Sequence, residues 1–303
     1  MPLHEGKTLL IVNPAAKRGR GAKAGQLAMR VLRAELGVKA LDVVNTYHPQ
    51  HAVEIASQAG GYHAVISLGG DGIIHEVVNG LMEIPREERP ILGVVPVGSG
   101  NDFARSLDMP FKLEAALEAL LAATPRALDV GSCNGEYFAE TLSFGLDAGV
   151  ALGTVPLREK LHISGAPLYL ASGFDQMVNH LDTYRFKAVL DGSREVEGQM
   201  VMFAVQLGPT YGGGFRVCPD ALFDDGLFDI CYAEPMALPK AIMLFVRAKN
   251  AHHVGNPDIH FDRASSLHLE FDARPPVQID GEPHVADSYD IKMHPKALDV
   301  LIP

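Results

Sequence analysis

The sequence predicts an α/β plus β protein of two domains. An N-terminal doubly wound α/β domain spans 1–125 and a C-terminal β-sandwich spans 126–294, with 295–303 returning to the first domain. Three observations carry this. Before Pro125, short β-branched apolar runs alternate with stretches of helical spacing, the pattern of a parallel sheet flanked by helices. After Pro125, strand-like runs follow one another with turn residues between them, as in antiparallel sheets. A chain of 303 residues is also long for one average domain and suits two.

In the first domain the predicted strands are 8–12, 40–44, 64–68 and 91–95, each apolar and short. Helical spacing covers 22–36, 51–59, 73–82 and 113–122. The boundary is placed at Thr124-Pro125. Beyond it the predicted strands are 127–132, 184–190, 200–207, 227–232, 266–271, 277–279 and 289–293, interrupted by helices near 168–180 and 239–250. The strand-like 298–302 is the part expected to pair with the first domain.

Composition narrows the function. The net charge of -11 argues against a general nucleic-acid binder. Cations nevertheless crowd the first segment, with Lys7, Lys17, Arg18, Arg20, Lys23, Arg30 and Arg33. Asp220, Asp224, Asp225, Asp229 and Glu234 form a later acidic stretch. The cysteines Cys133, Cys218 and Cys231 are odd in number and make no CxxC pair, which suggests reduced thiols and a cytoplasmic setting. No apolar run approaches the ~18 residues a membrane span needs, and the N-terminus lacks the order of a signal peptide.

Chemistry concentrates in turns. Gly69-Gly70-Asp71-Gly72 follows a strand and opens a helix. Glycines let the backbone approach a ligand closely, and a helix N-terminus favours an anion, so a nucleotide phosphate is the expected occupant. Asp71 cannot bind phosphate but could hold a Mg²⁺ that does. A second turn, Asn13-Pro14-Ala15-Ala16-Lys17, follows the first strand and leads into basic residues able to meet phosphate oxygens. A third, 96–105, offers Ser99 and Asn101 as hydrogen-bonding side chains, with Asp102 a helix cap or a ligand. In the second domain, Asp280-Gly281-Glu282 sets two carboxylates around a glycine, where one could take a proton from a substrate hydroxyl or both could decorate a plain hairpin. The Walker P-loop, a complete GxGxxG, HExxH, GxSxG and the protein-kinase HRD and DFG elements are all absent.

In this order the segments resemble the diacylglycerol kinase catalytic-domain family, above all its bacterial soluble lipid kinases. The resemblance rests on Asn13-Pro14, then 69–72 leading to Glu76-Val77-Val78-Asn79-Gly80-Leu81, and 96–105. It continues through 212–214, Pro219-Asp220-Ala221 and 224–229 to 280–282, almost the whole chain. It implies an NAD kinase-like nucleotide-binding domain, a β-sandwich lipid domain, and transfer of the γ-phosphoryl group of ATP, with Mg²⁺, to a lipid hydroxyl. Diacylglycerol giving phosphatidic acid heads the candidates.

By that resemblance Asn13, Pro14, Ala15, Ala16, Lys17, Thr46, Gly69, Gly70, Asp71, Gly72, Glu76 and Ser99 are nucleotide positions. Glu282 is the proton acceptor, and Asp71 organises Mg²⁺ and phosphate. A structural Mg²⁺ is expected on the Asp225 carboxylate and the carbonyls of Leu222 and Leu227, a donor set suited to a hard cation. The family's Thr is Ile73 here and another is Ser99. The expected partner is a lipid at the inner face of the membrane, with no nucleic acid and no transmembrane segment; a homodimer stays open. The apolar stretches 166–174 and 242–246 are candidate lipid-contacting walls, with ordinary core packing as the alternative. NAD kinase, which also carries GGDG, and a non-catalytic lipid-binding pseudokinase are the competing functions.

Overall fold

A computed structural model describes residues 2–163 and 165–303, with the side chains of Pro2, Glu159 and Ala166 outside that description. The chain divides into two units. Unit one comprises Met1–Val130 and Pro295–Pro303, and unit two is Gly131–His294.

Unit one alternates strand and helix: β1 Thr8–Val12, α1 Ala16–Leu36, β2 Leu41–Asn45, α2 His51–Ser57, β3 Ala64–Gly69, α3 Asp71–Met82, β4 Ile91–Pro96, α4 Asp102–Ser106 and α5 Leu113–Ala122. The first four strands pair in parallel in the order β2-β1-β3-β4. β1 and β3 are buried along their whole length, which is why they read as continuous apolar runs rather than alternating ones. The buried residues of α3, Ile73, Ile74, Val77, Val78 and Leu81, recur at helical spacing. Each such side chain stabilises the fold by roughly 1.5–3 kcal/mol.

The chain leaves unit one within β5, Thr124–Cys133, and comes back within β16, Ser288–Ile302. Val300 pairs in parallel with Leu92 of β4, so the last residues extend the unit-one sheet. Arg89 fastens this return: its guanidinium donates to the carbonyls of Leu81, Ile84 and Ala297.

Unit two holds β6 Glu136–Phe138, β7 Thr141–Gly145, α6 Leu146–Leu161, α7 Ala166–Asn179, β8 Tyr184–Leu190, β9 Arg194–Met200, β10 Met202–Gln206, β11 Phe228–Ala233, α8 Leu238–Ala248, β12 Ile259–Ala264, β13 Ser266–Phe271, β14 Val277–Ile279 and β15 Glu282–Pro283. One antiparallel sheet runs β16-β13-β8-β9 and the other β12-β11-β10-β7-β14-β15. Their inner faces meet in one core, where Phe144 packs edge-on to Tyr289 at 4.8 Å and Phe186 to Phe203 at 5.2 Å. On β10 and β11 the side chains alternate. Phe203, Val205, Phe228 and Ile230 enter the sandwich, while Ala204 and Cys231 enter a second buried cluster with Tyr211, Phe215 and Val217.

Six elements of unit two are absent from the sequence expectations: α6, β6, β7, β9, β12 and β15, of which β7 is a five-residue buried strand and β15 only two residues long. Helix α6 contains Pro156, Gly149 and Gly153, which break a helical signal in sequence. Strand β9, sequence REVEGQM, is mostly exposed and polar, and β6 and β12 are short or half-exposed.

Asp280 anchors the corner of the second sheet. Asp280 and Gly281 both have positive φ, 48° and 91°, the geometry of a two-residue hairpin turn between β14 and β15. The Asp280 carboxylate accepts the amides of Ala139, Glu140 and Thr141 at 2.9–3.0 Å. Asp280→Ala leaves those three amides without an acceptor and should lower unfolding free energy by about 3–5 kcal/mol. Urea unfolding measures this, and a loss under about 0.5 kcal/mol would show the anchor to be dispensable.

Candidate functional site

The order β2-β1-β3-β4 reverses direction between β1 and β3, the place where open parallel sheets bind ligands at the carboxyl ends of their strands. Four turns gather at that edge. Asn13, just after β1, donates its amide to the carbonyl of Leu68 at 3.0 Å. Thr46, just after β2, donates to the Val12 carbonyl at 2.8 Å, and Val97, just after β4, donates to the Gly69 carbonyl at 2.6 Å. The turns after β3 and β4 touch through glycine. A Cβ on Gly98 would lie 2.4 Å from the Cα of Gly70, so any side chain there collides with backbone.

Asp71 locks the two turns together. Its Oδ2 accepts the amide of Asn101 at 2.8 Å and its Oδ1 that of Asp102 at 2.9 Å, at the start of α4. Burial and the neighbouring Asp102 carboxylate push the Asp71 carboxyl up, while the amides of Asn101, Asp102 and Phe103 pull it down. The expected phosphate organiser is therefore first an anchor of its own site. The Asn101 side chain closes the turn by accepting from the Gly98 amide at 2.7 Å. The first intrahelical bond of α3 runs from the Ile74 amide to the Gly70 carbonyl, so the amides of Asp71, Gly72 and Ile73 are the ones a helix leaves for a ligand.

The turn after β1 is an Asx turn, with Asn13 Oδ1 accepting the Ala15 amide at 3.0 Å. Pro14 and Ala15 lend their carbonyls to Ala22 and Gly19, and the Ala16 amide bonds back to the Asn13 carbonyl. Lys17 and Arg18 then adopt left-handed backbone, φ 48° and 58°. Left-handed residues other than glycine cost about 1–2 kcal/mol each and gather at functional sites. Both side chains are exposed and cationic. Ser99 is partly exposed on the third turn, and Ile73 is buried under Gly69.

Glu76 holds the backbone of the segment before α2. Its two oxygens accept the amides of Gln50 and Ala52, both at 3.0 Å, capping α2 from the neighbouring helix. With both oxygens so engaged it positions the 46–52 segment, which carries Thr46.

In unit two, Glu282 is exposed on β15 while Asp280 is consumed by backbone. Of the expected Mg²⁺ donors, the Asp225 carboxylate already has partners in this structure. Asp225 Oδ1 accepts the Leu227 amide at 3.1 Å and Oδ2 is paired with the Arg263 guanidinium, which also reaches Asp229 at 3.3 Å. The guanidinium already balances the carboxylate where the cation was expected.

An apolar cavity, which sequence reasoning did not find as a unit, lies between the second sheet and helices α6–α8. Tyr169, Leu244 and Phe245, from the two predicted walls, line it together with Asp147, Tyr211 and His253. Asp147 starts α6; one of its oxygens is inaccessible and without a hydrogen-bond partner among the described residues.

The family model described as "Diacylglycerol kinase catalytic domain" matches residues 7–133, and "YegS C-terminal NAD kinase beta sandwich-like domain" matches residues 140–302. The chain belongs to the diacylglycerol kinase family. It is 30% identical over 304 residues, 99% of this chain and 94% of the relative, to "Probable lipid kinase YegS-like" of Chromohalobacter salexigens. It is 30% identical to "Diacylglycerol kinase" of Bacillus subtilis over 73% of this chain and 71% of that one. The fold is that of a diacylglycerol kinase structure from Bacillus anthracis, with TM-score 0.82, 24% identity, and 98% and 97% of the two chains covered. An Archaeoglobus fulgidus NAD kinase solved with ATP shares the fold at TM-score 0.52 and 12% identity, over 97% and 92% of the two chains. This diacylglycerol kinase-like protein is thus a lipid-kinase-type enzyme. No helix among the described residues is long and apolar enough to cross a membrane.

Two expectations follow from the geometry. Arg263→Ala frees the Asp225 carboxylate, so Mg²⁺ should raise the melting temperature of this variant while leaving the parent protein unchanged. Calorimetry with and without chelator decides it, and a Mg²⁺-dependent melting temperature in the parent would show that the guanidinium does not replace the ion. Burial pushes the Asp147 carboxyl up to about 6, against hydrogen bonds from Tyr211 and Ser143. Because the folded value is raised, the stability this group contributes is full below its unfolded value of about 3.9 and is lost as pH rises through the folded one. Between about pH 4 and about pH 8, Asp147→Asn should therefore lose about 3 kcal/mol less stability than the parent in urea titrations. Equal losses would show that Asp147 is not held neutral.

Proposed function

We propose that this enzyme transfers the γ-phosphoryl group of ATP to the hydroxyl of a membrane lipid, diacylglycerol foremost, yielding phosphatidic acid. The observation that carries the reading is the convergence of four turns at the β1/β3 switch point, with the first amides of α3 in one turn and the exposed Lys17 and Arg18 in another. Phosphoryl transfer needs positioning and charge neutralisation more than covalent chemistry, and this edge offers both. The amides of Asp71, Gly72 and Ile73 would cradle phosphate oxygens, with Lys17 and Arg18 balancing their charge. Mg²⁺ arriving with ATP would offset charge on the transferring group, and Asp71 would serve it chiefly by holding the turn, since both its oxygens already accept amides.

Glu282 is the group we assign to accept the hydroxyl proton, since it is exposed where its neighbour Asp280 is committed to three amides. The cavity of unit two suits an acyl chain, being lined mainly by apolar side chains. Helices α7 and α8 form part of its wall and also expose Leu170, Phe174, Met243 and Val246 outward. Exposed apolar side chains on the helices that wall the cavity favour contact with a lipid surface.

A γ-labelled ATP assay against diacylglycerol, phosphatidylglycerol, a sphingoid base and NAD tests the acceptor. Label in phosphatidic acid is expected; label only in NADP would move the chain to NAD kinase chemistry, and none in any product would make it a binding protein. Glu282→Gln should lower turnover more than about tenfold with ATP affinity nearly unchanged. Parental turnover in that variant removes Glu282 from the mechanism.

A further inference from the structure

The polar groups on the sheet side of the unit-two cavity are arranged for thiol chemistry that lipid phosphorylation does not use. Cys231 sits in the middle of β11, is 1% exposed, and lines the cavity beside His253, Tyr211, Phe215 and Val217. Cys218 belongs to the same buried cluster, and its thiol is in hydrogen-bonding reach of both the Asp229 carbonyl, at 3.7 Å, and the Cys231 sulfur. His253 is 3% exposed. Its Nε2 is 2.9 Å from the Val217 carbonyl, which can only accept, so Nε2 carries the proton and Nδ1 the lone pair. That Nδ1 is buried without a regular hydrogen bond, and its neighbour is the Cys231 sulfur. A thiol, a base beside it and a third group fixing the tautomer of the base make an activated nucleophile.

We propose that Cys231 and Cys218 form an oxidisable pair, with His253 as base, which peroxide converts to a disulfide across the cavity wall. His253 Nδ1 takes the Cys231 proton, and the thiolate attacks one peroxide oxygen. An S–O bond forms, the O–O bond breaks, and the departing hydroxide leaves as water with the imidazolium proton. The Cys218 sulfur then attacks the sulfenic sulfur; an S–S bond forms, the S–O bond breaks, and hydroxide leaves as water with the Cys218 proton. Two thiols lose two electrons to one peroxide, giving one disulfide and two waters. Hydrogen bonding from Cys218 and the nearby imidazole hold the Cys231 thiol down at about 7, overcoming burial, whereas burial pushes Cys133 up to about 12. Cys133 is thus an internal control.

Access and consequence are also built in. Cys218 borders a second pocket whose lining mixes Val254 and Phe261 with Asp220, Asp229 and Arg263, an opening through which a small peroxide can approach the pair. The segment 207–227 between β10 and β11 contains no regular strand or helix and runs through Gly212, Gly213 and Gly214, all at positive φ. It carries Tyr211, Phe215 and Val217 to the cavity, so a bridge from Cys218 to β11 would tether that wall. The effect on lipid turnover rests on the proposed function; the bridge itself does not.

The test is peptide mapping of the folded, full-length protein after hydrogen peroxide, without reductant. The expected product is a peptide pair joining Cys218 to Cys231, about 2 Da lighter than the two thiols, with Cys133 unchanged. In Cys218→Ser the sulfenic acid on Cys231 should persist and be trapped by dimedone. His253→Gln should slow bridging by about tenfold or more. Cys231 oxidising no faster than Cys133, or bridging only in denaturant, overturns the proposal, and the parent protein alone gives both readouts if a variant does not fold. A bridge that forms without altering lipid phosphorylation would overturn the tether while leaving the kinase reading intact.

Discussion

The candidate nucleotide edge depends on one close contact, the backbone of Gly70 against that of Gly98. Nothing larger than hydrogen fits at either position, and the Asp71 carboxylate spans the same junction to the amides that open α4. A carboxylate accepting backbone amides at a helix start is favourable in itself, because the helix dipole and the hydrogen bonds act together. It also fixes the angle at which α3 presents its own first amides. The site is therefore preorganised before any ligand arrives, which is what a reaction governed by positioning requires. The Asp71 carboxylate is close to that of Asp102, and their mutual repulsion is the cost of that arrangement.

Much of unit one was legible because its signals are local. β1 and β3 are buried on both faces, so their sequences are unbroken apolar runs with turns at fixed ends, and the turns after them carry the chemistry. What was not legible is which atom each polar side chain satisfies. Asp71 and Glu76 stand in one motif and both looked like ligand contacts. One holds the 98–102 turn and the other caps α2, through partners 30 and 26 positions from them in sequence. Hydrogen bonds made at such a distance leave no periodic trace.

Unit two was harder for a related reason. The alternation on β10 and β11 is visible, but both faces are buried, one against the other sheet and one against α6–α8, so the residues that form the cavity look like any core. Helix α6 carries a proline and two glycines where a helix would be expected to show its stripe. Asp147 is invisible in sequence because a single acidic residue after a strand is ordinary. Only its burial beside Tyr211 distinguishes it.

The Asp225–Arg263 pair shows that residue types named by a resemblance do not by themselves say what surrounds them. Leu222, Asp225 and Leu227 are all present, yet the field at the Asp225 carboxylate is set by a guanidinium that comes from β12, 38 positions further along the chain. An Arg delivers a fixed charge with directed donors and needs no ion from solution, whereas a cation held by one carboxylate and carbonyls is exchangeable. The same local need, one positive charge between Asp225 and Asp229, is met by covalent chain here. A motif thus specifies the demand for charge at a position, and the surrounding fold decides what supplies it.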